Sequence, residues 1–156
     1  MGSVTTVITK NAQETQEYGQ TLAAALMAER DGIVKQPLIL CLYGELGSGK
    51  TTFVQGFAKG LGIVSRLPSP TFIIVRRYSM VGSKNFFYHI DLYRIENTAD
   101  LSGLGLREIF LDPTGIICIE WAERLGLLLP KNRADITFNI MSKEKRKISL
   151  KKVYDI

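Results

Sequence analysis

The sequence predicts one α/β domain spanning residues 1–156, with a mixed, mainly parallel β-sheet, helices on both faces and a C-terminal β-hairpin. The length of 156 residues suits a single hydrophobic core. Apolar residues make up 46% and charged residues 22%, which excludes collagen-like, disordered and disulfide-framework proteins. Strand-like and helix-like segments alternate as β-α-β-α-β-β-α-β-α-β-β, an order typical of α/β domains with mixed strand pairing.

The first elements are a strand, a helix and a buried strand. Residues 4–8 predict a short strand. Asn11 and Glu14 have the spacing of a capping box, so a helix is expected to begin there and to stop at residues 31–32, Asp-Gly. Residues 38–43 are apolar without clear alternation, which indicates a strand covered on both faces, as in a parallel sheet under helices.

The later elements follow from hydrophobic periodicity and turn residues. Residues 50–61 carry an apolar stripe at helical spacing, which predicts a second helix. A weak helical pattern at residues 97–110 is interrupted by Gly103 and Gly105. The remaining predicted elements are strands at residues 72–79, 86–92 and 116–120, a hairpin turn at 81–85, a short helix at 122–129, and a final hairpin with strands at 136–141 and 148–154.

Cysteine usage and hydropathy predict a cytoplasmic protein without a membrane segment. The two cysteines, Cys41 and Cys118, lie inside apolar runs, so we expect buried thiols in core strands and a reducing compartment. No apolar run approaches the roughly 20 residues of a membrane span. The first 30 residues lack the apolar core of a signal peptide.

The positive charge is concentrated near the C-terminus. The formal net charge is +5, and residues 143–152 contain six basic residues against Glu144 alone, which accounts for the whole excess. Such a cluster either holds a phosphate backbone or an acidic partner, or consists of lysines that protect a solvated hairpin edge from aggregation. Both interpretations remain open at this point.

A glycine-rich turn between the buried strand and the second helix carries the strongest chemical signal. Residues 44–51 read Gly-Glu-Leu-Gly-Ser-Gly-Lys-Thr and satisfy the pattern G-x-x-x-x-G-K-[ST] of a phosphate-binding loop, or P-loop. Glycines allow the backbone N–H groups to converge on an anion, and the helix N-terminus adds its positive dipole end. We expect Lys50 to reach the β- and γ-phosphates and the Thr51 hydroxyl to contact Mg²⁺. The motif predicts a P-loop NTPase-like fold.

Two carboxylates stand at the ends of predicted strands. Asp91 ends the strand that begins at residue 86, and Glu120 ends the strand at 116–120. A P-loop needs a carboxylate at the C-terminal end of a neighbouring strand to arrange Mg²⁺ and the attacking water. The strand of Glu120 is the more completely apolar, so we expect it to be the more central. Glu120 is expected on the metal side and Asp91 on the metal or the water, although either side chain also fits a helix N-cap or a salt bridge.

Four further features of the sequence give weaker indications of function. A hydroxyl in residues 69–72, Ser-Pro-Thr-Phe, would sense the γ-phosphate or merely cap a turn. Arg94 would neutralise charge on a transferred phosphate or lie on the surface. His89, beside aromatic residues, is predicted to be a satisfied core residue. Trp121 directly follows Glu120, so we expect its ring to lie near the nucleotide.

Four ordered motifs together resemble one protein family. They are residues 44–52 (GELGSGKTT), 69–72 (SPTF), 89–94 (HIDLYR) and 119–124 (IEWAER), and the resemblance runs from about residue 15 to 146. The sequence is similar to the bacterial TsaE (YjeE) family of small P-loop ATPases. The resemblance implies binding of ATP and ADP with Mg²⁺, slow intrinsic hydrolysis, and work with a TsaB–TsaD type complex that makes threonylcarbamoyladenosine at position 37 of tRNA.

The resemblance also implies roles for individual residues. Lys50, Asp91 and Glu120 would take part in catalysis, and Thr51 and Glu120 would contact the metal. Glu45 stands where the family often has Asp, at a variable position. The residues that would line the nucleotide site are Thr15, Glu45, Leu46, Gly47, Ser48, Gly49, Lys50, Thr51, Thr52, Thr71, Trp121 and Arg146.

Two other functions compete with an accessory ATPase. A small-molecule kinase would use the same phosphate cradle, but the sequence has no insertion long enough for an arginine-rich lid. A non-catalytic, nucleotide-gated module would contact RNA or a partner through the basic hairpin. No motif separates ATP from GTP.

Overall fold

The strands of the described residues form one seven-stranded sheet. The computed structural model describes residues 3–30, 36–64 and 74–153. The strands follow the spatial order β1-β7-β6-β2-β5-β4-β3. They are β1 (Val4–Thr9), β2 (Leu38–Tyr43), β3 (Val75–Ser79), β4 (Phe86–Asp91), β5 (Gly115–Glu120), β6 (Arg133–Ile140) and β7 (Arg146–Val153).

Parallel pairing occupies the centre of the sheet. Strand β2 runs parallel to both β5 and β6, and β4 runs parallel to β5. The outer pairs, β3–β4, β6–β7 and β1–β7, are antiparallel. This arrangement confirms the predicted mixed sheet and its C-terminal hairpin. Strand β7 lies between β1 and β6, so the interpretation of its lysines as protection for a hairpin edge is wrong: β1 covers that side.

Helices cover both faces of the sheet, as the sequence predicts. Helices α1 (Ala12–Arg30) and α2 (Lys50–Gly60) pack on one face, and α3 (Leu106–Leu111) packs on the other with 3₁₀ segments at Thr98–Leu101 and Ala122–Leu128. Among the described residues, no helix has the length and apolar character needed to cross a bilayer.

The central strands form the buried core. All six residues of β5 are buried, and β5 lies one position nearer the centre of the sheet than β4, as expected from its composition. Cys41 and Cys118 are fully buried free thiols, and burial raises the pKa of Cys41 to about 12. These thiols are therefore packing groups, because the thiolate is the reactive form of cysteine.

Several boundaries differ from the sequence prediction for local reasons. The pattern at residues 97–110 resolves into a 3₁₀ turn and the short helix α3, because Gly103 and Gly105 adopt φ values of 85° and 71° that a helix excludes. The predicted helix at 122–129 is 3₁₀ and is interrupted at Gly126. The predicted helix end at residues 31–32, strand residues 72–73 and residue 154 lie outside the described residues.

The side chains of Asn11 and Glu14 form hydrogen bonds at the start of α1, as predicted, but Glu14 has a different partner from the one expected. The Asn11 Oδ1 atom accepts a hydrogen bond from the Glu14 backbone N–H at 2.9 Å, as in a capping box. The Glu14 carboxylate accepts from the N–H of Lys10 at 2.8 Å, one residue before the expected Asn11. The two bonds together fix the first turn of α1 beside β1.

Glycines allow α1 and α2 to pack in direct backbone contact. A Cβ atom added at Gly56 would lie 1.9 Å from the Gln16 carbonyl oxygen, and one at Gly19 would lie 2.4 Å from the Phe53 carbonyl oxygen. A Cβ at Gly60 would meet the Gln20 carbonyl oxygen at 2.4 Å. The close approach brings the N-terminal end of α1 next to the P-loop.

We expect Gly56→Ala to lower the free energy of unfolding by about 1–3 kcal/mol, because the added methyl group must push α1 and α2 apart. Intrinsic helix propensity alone predicts the opposite, a gain of about 1 kcal/mol. Chemical denaturation would measure the change, with Ala24→Gly on the exposed face of α1 as the control that reports ordinary propensity. A Gly56→Ala variant as stable as the parent would contradict the close approach of the two helices.

Candidate active site

The P-loop bends sharply between β2 and α2. Gly47 and Gly49 have φ values of 79° and 102°, a region that favours glycine, and Gly49 is the N-cap of α2. The first N–H groups of a helix have no partner within the helix, so the first turn of α2 presents free donors to the interior of the loop. This end of α2 is a suitable anion site because the helix dipole adds partial positive charge.

A cavity of about 370 Å³ opens beside the loop. It lies at the carboxyl ends of the parallel strands β4 and β5, where ligands bind in open α/β sheets. The predicted site residues that line it are Thr15, Leu46, Gly47, Ser48, Gly49, Lys50, Thr51, Thr52, Asp91, Glu120, Trp121 and Arg146.

The Lys50 ammonium lies inside this cavity and is directed at the loop itself. Its Nζ atom donates hydrogen bonds to the carbonyl oxygens of Gly44 and of Glu45, the latter at 3.1 Å. The same atom lies 4.2 Å from the centroid of the Trp121 ring. Burial lowers the pKa of Lys50, and nearby carboxylates, Glu120 first among them, oppose that shift. Glu45 thus enters the site through its backbone carbonyl and does not line the cavity.

Glu120 connects the P-loop helix to the sheet. Its Oε1 atom accepts a hydrogen bond from the Thr51 hydroxyl at 2.8 Å, and its Oε2 atom lies 2.6 Å from Nε2 of His89. The Glu120 side chain is 3% exposed, so the carboxylate has little contact with solvent. A hydroxyl and a carboxylate paired in this way beside an anion site are oxygen donors of the kind that a magnesium ion accepts.

Asp91 is the register partner of Glu120 on the neighbouring strand. Because β4 and β5 are parallel and in register here, the two carboxylates point to the same face at the same edge of the sheet. Asp91 is 4% exposed, and its Oδ1 atom accepts a hydrogen bond from the Tyr93 N–H at 3.0 Å. The structure therefore brings both predicted carboxylates into one cavity.

Thr15 borders the cavity from the first turn of α1. Its hydroxyl lies 2.7 Å from that of Thr9 and 3.3 Å from the carbonyl oxygen of Asn11. Its side chain is 2% exposed, and its methyl group faces Gly49 of the P-loop. Thr15 thus packs against the loop, with its hydroxyl bonded inside the protein.

Arg146 fastens the C-terminal hairpin to the P-loop. Its Nε and Nη2 atoms donate to the carbonyl oxygens of Ser48 at 3.2 Å and Gly47 at 3.1 Å. Its Nη1 atom donates to three carbonyl oxygens of the β6–β7 turn, including that of Ser142 at 2.9 Å. All three guanidinium nitrogens therefore bind backbone carbonyls, although the side chain also borders the cavity.

Three further predictions concern Arg94 and His89, neither of which lines the cavity, and residues 69–72. Arg94 is exposed and does not line the cavity. His89 is fully buried, as expected for a core residue; among the described residues its Nε2 atom has a partner in Glu120, and its Nδ1 atom has none. Residues 69–72, with Thr71, lie outside the described residues.

The sequence prediction did not include four residues that line the cavity: Ala12, Tyr93, Lys143 and Glu144. Tyr93 lies within the motif at residues 89–94, which was a usable signal. Lys143 and Glu144 lie in the basic segment, where only the fold reveals which side chains face the P-loop. Ala12 carries no chemical signal in the sequence.

The cavity suits a cation that is only partly coordinated by protein. The described parts of the chain contain no group of three or more His, Cys, Asp and Glu side chains arranged to hold a metal. Magnesium is commonly held by one or two carboxylates together with substrate phosphates and water. Thr51 and Glu120 beside the anion site fit that mode of binding.

Comparisons with known proteins agree with this architecture. The family model described as "Threonylcarbamoyl adenosine biosynthesis protein TsaE" matches residues 9–148. The chain is 36% identical to the tRNA threonylcarbamoyladenosine biosynthesis protein TsaE of Bacillus subtilis (strain 168) over 141 residues, which cover 90% of this chain and 81% of the relative. It is 33% identical to the protein of the same name from Treponema pallidum (strain Nichols) over 143 residues, covering 92% and 97% of the two chains.

A solved structure gives the same result for the fold. The crystal structure of YdiB from Bacillus subtilis is similar, with a TM-score of 0.75 and 33% sequence identity, over 98% of this chain and 88% of that one. The similarity extends over nearly the whole sheet and its helices. With a family model across residues 9–148 and relatives of this identity over nine-tenths of its length, the chain belongs to the TsaE family.

Proposed function

We propose that this protein is a Mg²⁺-dependent ATPase that serves as an accessory factor in the synthesis of N6-threonylcarbamoyladenosine at position 37 of tRNA, together with a TsaB–TsaD type complex. The observation that carries the proposal is the arrangement of Lys50 and Thr51 of the P-loop against Asp91 and Glu120 in one cavity. The names of the relatives support the pathway, and the cavity supports the chemistry.

Phosphate groups would bind at the first turn of α2. The N–H groups of this turn supply hydrogen bonds, and Lys50 adds a full positive charge beside them. In the structure the Lys50 ammonium donates to the carbonyls of Gly44 and Glu45, which are weaker partners than a phosphate oxygen. The phosphate oxygens of a bound nucleotide would therefore replace the two carbonyls as acceptors for the Lys50 ammonium. We propose that the nucleotides are ATP and ADP.

Thr51 and Glu120 would hold Mg²⁺ next to the phosphates. When bound, this ion neutralises phosphate charge and orients the phosphate oxygens. The Thr51 hydroxyl and Glu120 Oε1 already lie 2.8 Å apart, so both oxygens are available to one small cation. Asp91, the register partner of Glu120, would accept a hydrogen bond from the attacking water and orient it toward the γ-phosphate.

The cavity also supports slow turnover in the absence of a partner. Phosphoryl transfer is accelerated strongly by an arginine that stabilises charge in the transition state. The one arginine that lines the cavity in the described residues is Arg146, and its three nitrogens bind backbone carbonyls. A partner that supplies or repositions a cation would therefore raise the rate, which agrees with an accessory ATPase that acts within a complex.

The basic C-terminal segment is divided between the site and the surface. Lys143 and Arg146 border the cavity, and Lys152 pairs with Glu29 at 2.7 Å. The exposed lysines of this segment are Lys143, Lys145, Lys147 and Lys151. Such a surface suits an acidic partner or tRNA, contacted directly or through the partner complex. ATP hydrolysis in support of tRNA modification implies work in the cytoplasm.

The proposal is tested by phosphate release from ATP with Mg²⁺ and no acceptor. We expect slow turnover that a TsaB–TsaD type complex raises, and a change in the fluorescence of the single tryptophan, Trp121, because phosphate binding draws Lys50 away from its ring. Lys50→Ala is expected to weaken nucleotide binding at least about tenfold through loss of a charge-assisted contact. Lys59→Ala, on the exposed side of the same helix, is the control and is expected to bind like the parent.

The same assay separates the competing functions. Turnover only after addition of a small-molecule acceptor would establish a kinase and overturn the proposal. Binding without turnover, even with the partner complex, would establish a non-catalytic module. Absence of both a fluorescence change and binding at millimolar nucleotide would exclude the cavity as a nucleotide site.

Asp91→Asn is expected to preserve nucleotide affinity and to lower the hydrolysis rate about a hundredfold or more, since the amide keeps the shape of the side chain but loses the negative charge that holds and polarises the attacking water. Binding is measured by Trp121 fluorescence and turnover by phosphate release. Asp112→Asn is the control, because that carboxylate accepts a hydrogen bond from the Thr114 N–H just before β5, at the opposite end of this strand from Glu120. Hydrolysis by Asp91→Asn at the parent rate would remove Asp91 from the mechanism.

Arg146→Lys is expected to weaken nucleotide affinity about tenfold, because one ammonium cannot bridge the two P-loop carbonyls and the hairpin turn at the same time. Arg146→Met should behave like Arg146→Lys, since the lost feature is geometry and not charge. Isothermal titration with ADP measures both, with Lys147→Met on the opposite face of β7 as the control. Full affinity in Arg146→Lys would show that charge alone is required.

A further inference from the structure

His89 is a buried side chain in contact with Glu120, and the proposed mechanism gives it no role. We propose that His89 is a positioning residue that acts through Glu120: it holds the carboxylate so that Oε1 faces Thr51 and the metal position. This inference deepens the proposed function and rests on the role given there to Glu120. His89 itself does not line the cavity, so it would touch neither nucleotide nor metal.

The strand register explains how His89 reaches Glu120. His89 pairs with Cys118 across the β4–β5 ladder, and Asp91 pairs with Glu120. Side chains two residues apart on a strand share a face, so His89 lies diagonally below Glu120 on the α2 side of the sheet. The imidazole spans this diagonal and places Nε2 at 2.6 Å from Oε2.

The two oxygens of Glu120 have different partners, and this division fixes the carboxylate plane. Oε2 lies against Nε2 of His89, and Oε1 accepts from Thr51. A carboxylate with one bond rotates about its terminal torsion, which is broad, whereas two bonds at opposite oxygens hold a single orientation. Ligating carboxylates are commonly held by such outer contacts, and their loss costs about 10–100-fold in metal affinity.

Burial makes the contact between His89 and Glu120 hard to replace. His89 is 0% exposed and Glu120 is 3% exposed, so water has little access to Oε2 after loss of the imidazole. A buried carboxylate oxygen without a donor carries a desolvation penalty. The Phe87 ring, with its centroid 6.5 Å from that of His89, packs on the same face and limits movement of the imidazole.

The donor must stand at the Nε2 position. A carboxylate accepts hydrogen bonds, so Nε2 carries the donated proton, while Nδ1 has no hydrogen-bond partner in the part of the chain that the structure describes. Of the two amide side chains, glutamine places its nitrogen near the position of Nε2 and asparagine places it near that of Nδ1. His89→Gln therefore keeps the contact with Glu120, and His89→Asn loses it with similar polarity.

The test measures how much Mg²⁺ tightens ADP binding by the full chain. ADP affinity is determined by isothermal titration in EDTA and again in Mg²⁺, and the ratio of the two dissociation constants is compared among variants. This ratio is the Mg²⁺ gain, the factor by which Mg²⁺ tightens ADP binding. We expect His89→Leu and His89→Asn to bind ADP in EDTA like the parent and to have a Mg²⁺ gain about tenfold or more below that of the parent. His89→Gln is expected to retain the gain. Phe87→Leu, a buried neighbour on the same face, is the packing control and should lower the melting temperature without changing the gain.

Each outcome decides between a positioning and a packing role. An unchanged Mg²⁺ gain in His89→Leu, or equal gains in His89→Gln and His89→Asn, overturns the inference. If His89→Leu does not fold, the Gln–Asn comparison still decides, because both variants are polar and differ in the position of the donor. Failure of the parent to bind ADP overturns the proposed function instead, and a parent that binds ADP without any gain from Mg²⁺ overturns the metal role of Glu120 together with this inference.

Discussion

The hydrogen bond between Thr51 and Glu120 joins the first turn of α2 to the end of β5, and the site depends on it. Thr51 is the last residue of the P-loop motif and lies in the first turn of α2, and Glu120 ends the fully buried strand β5. The bond sets the distance between the anion site at the helix N-terminus and the carboxylates at the strand ends. Helix α2 keeps this position because its glycines allow backbone contact with α1, which also brings Thr15 against the loop.

The cavity brings buried charges of both signs close together. Asp91 and Glu120 place two carboxylates beside one ammonium, and all three side chains are buried. Burial lowers the pKa of Lys50 while the carboxylates oppose that shift, so the ammonium depends on nearby negative charge. A phosphate chain would strengthen the charged state of Lys50, and a divalent cation would offset the repulsion between the phosphates and the carboxylates.

Successive side chains of β7 point to opposite faces of the sheet, so the basic residues of this one segment make different contacts. Arg146 and Lys152 share the face of the buried residues Ile148 and Leu150, and they contact the P-loop and α1 respectively. Lys147 and Lys151 point to the opposite face and are exposed. A cluster that looks uniform in sequence is therefore part structural clamp, part ion pair and part exposed surface.

The sequence by itself determined the fold class, the P-loop and both strand-end carboxylates. These features follow from periodicity and local spacing, because backbone conformation at 44–51 depends on neighbouring residues. The tertiary structure alone decided the contact of His89 with Glu120, the clamp by Arg146, and the presence of Lys143 and Glu144 at the cavity. Each of these depends on register or packing between segments distant in sequence, and no local pattern encodes which side chains of two strands will face each other.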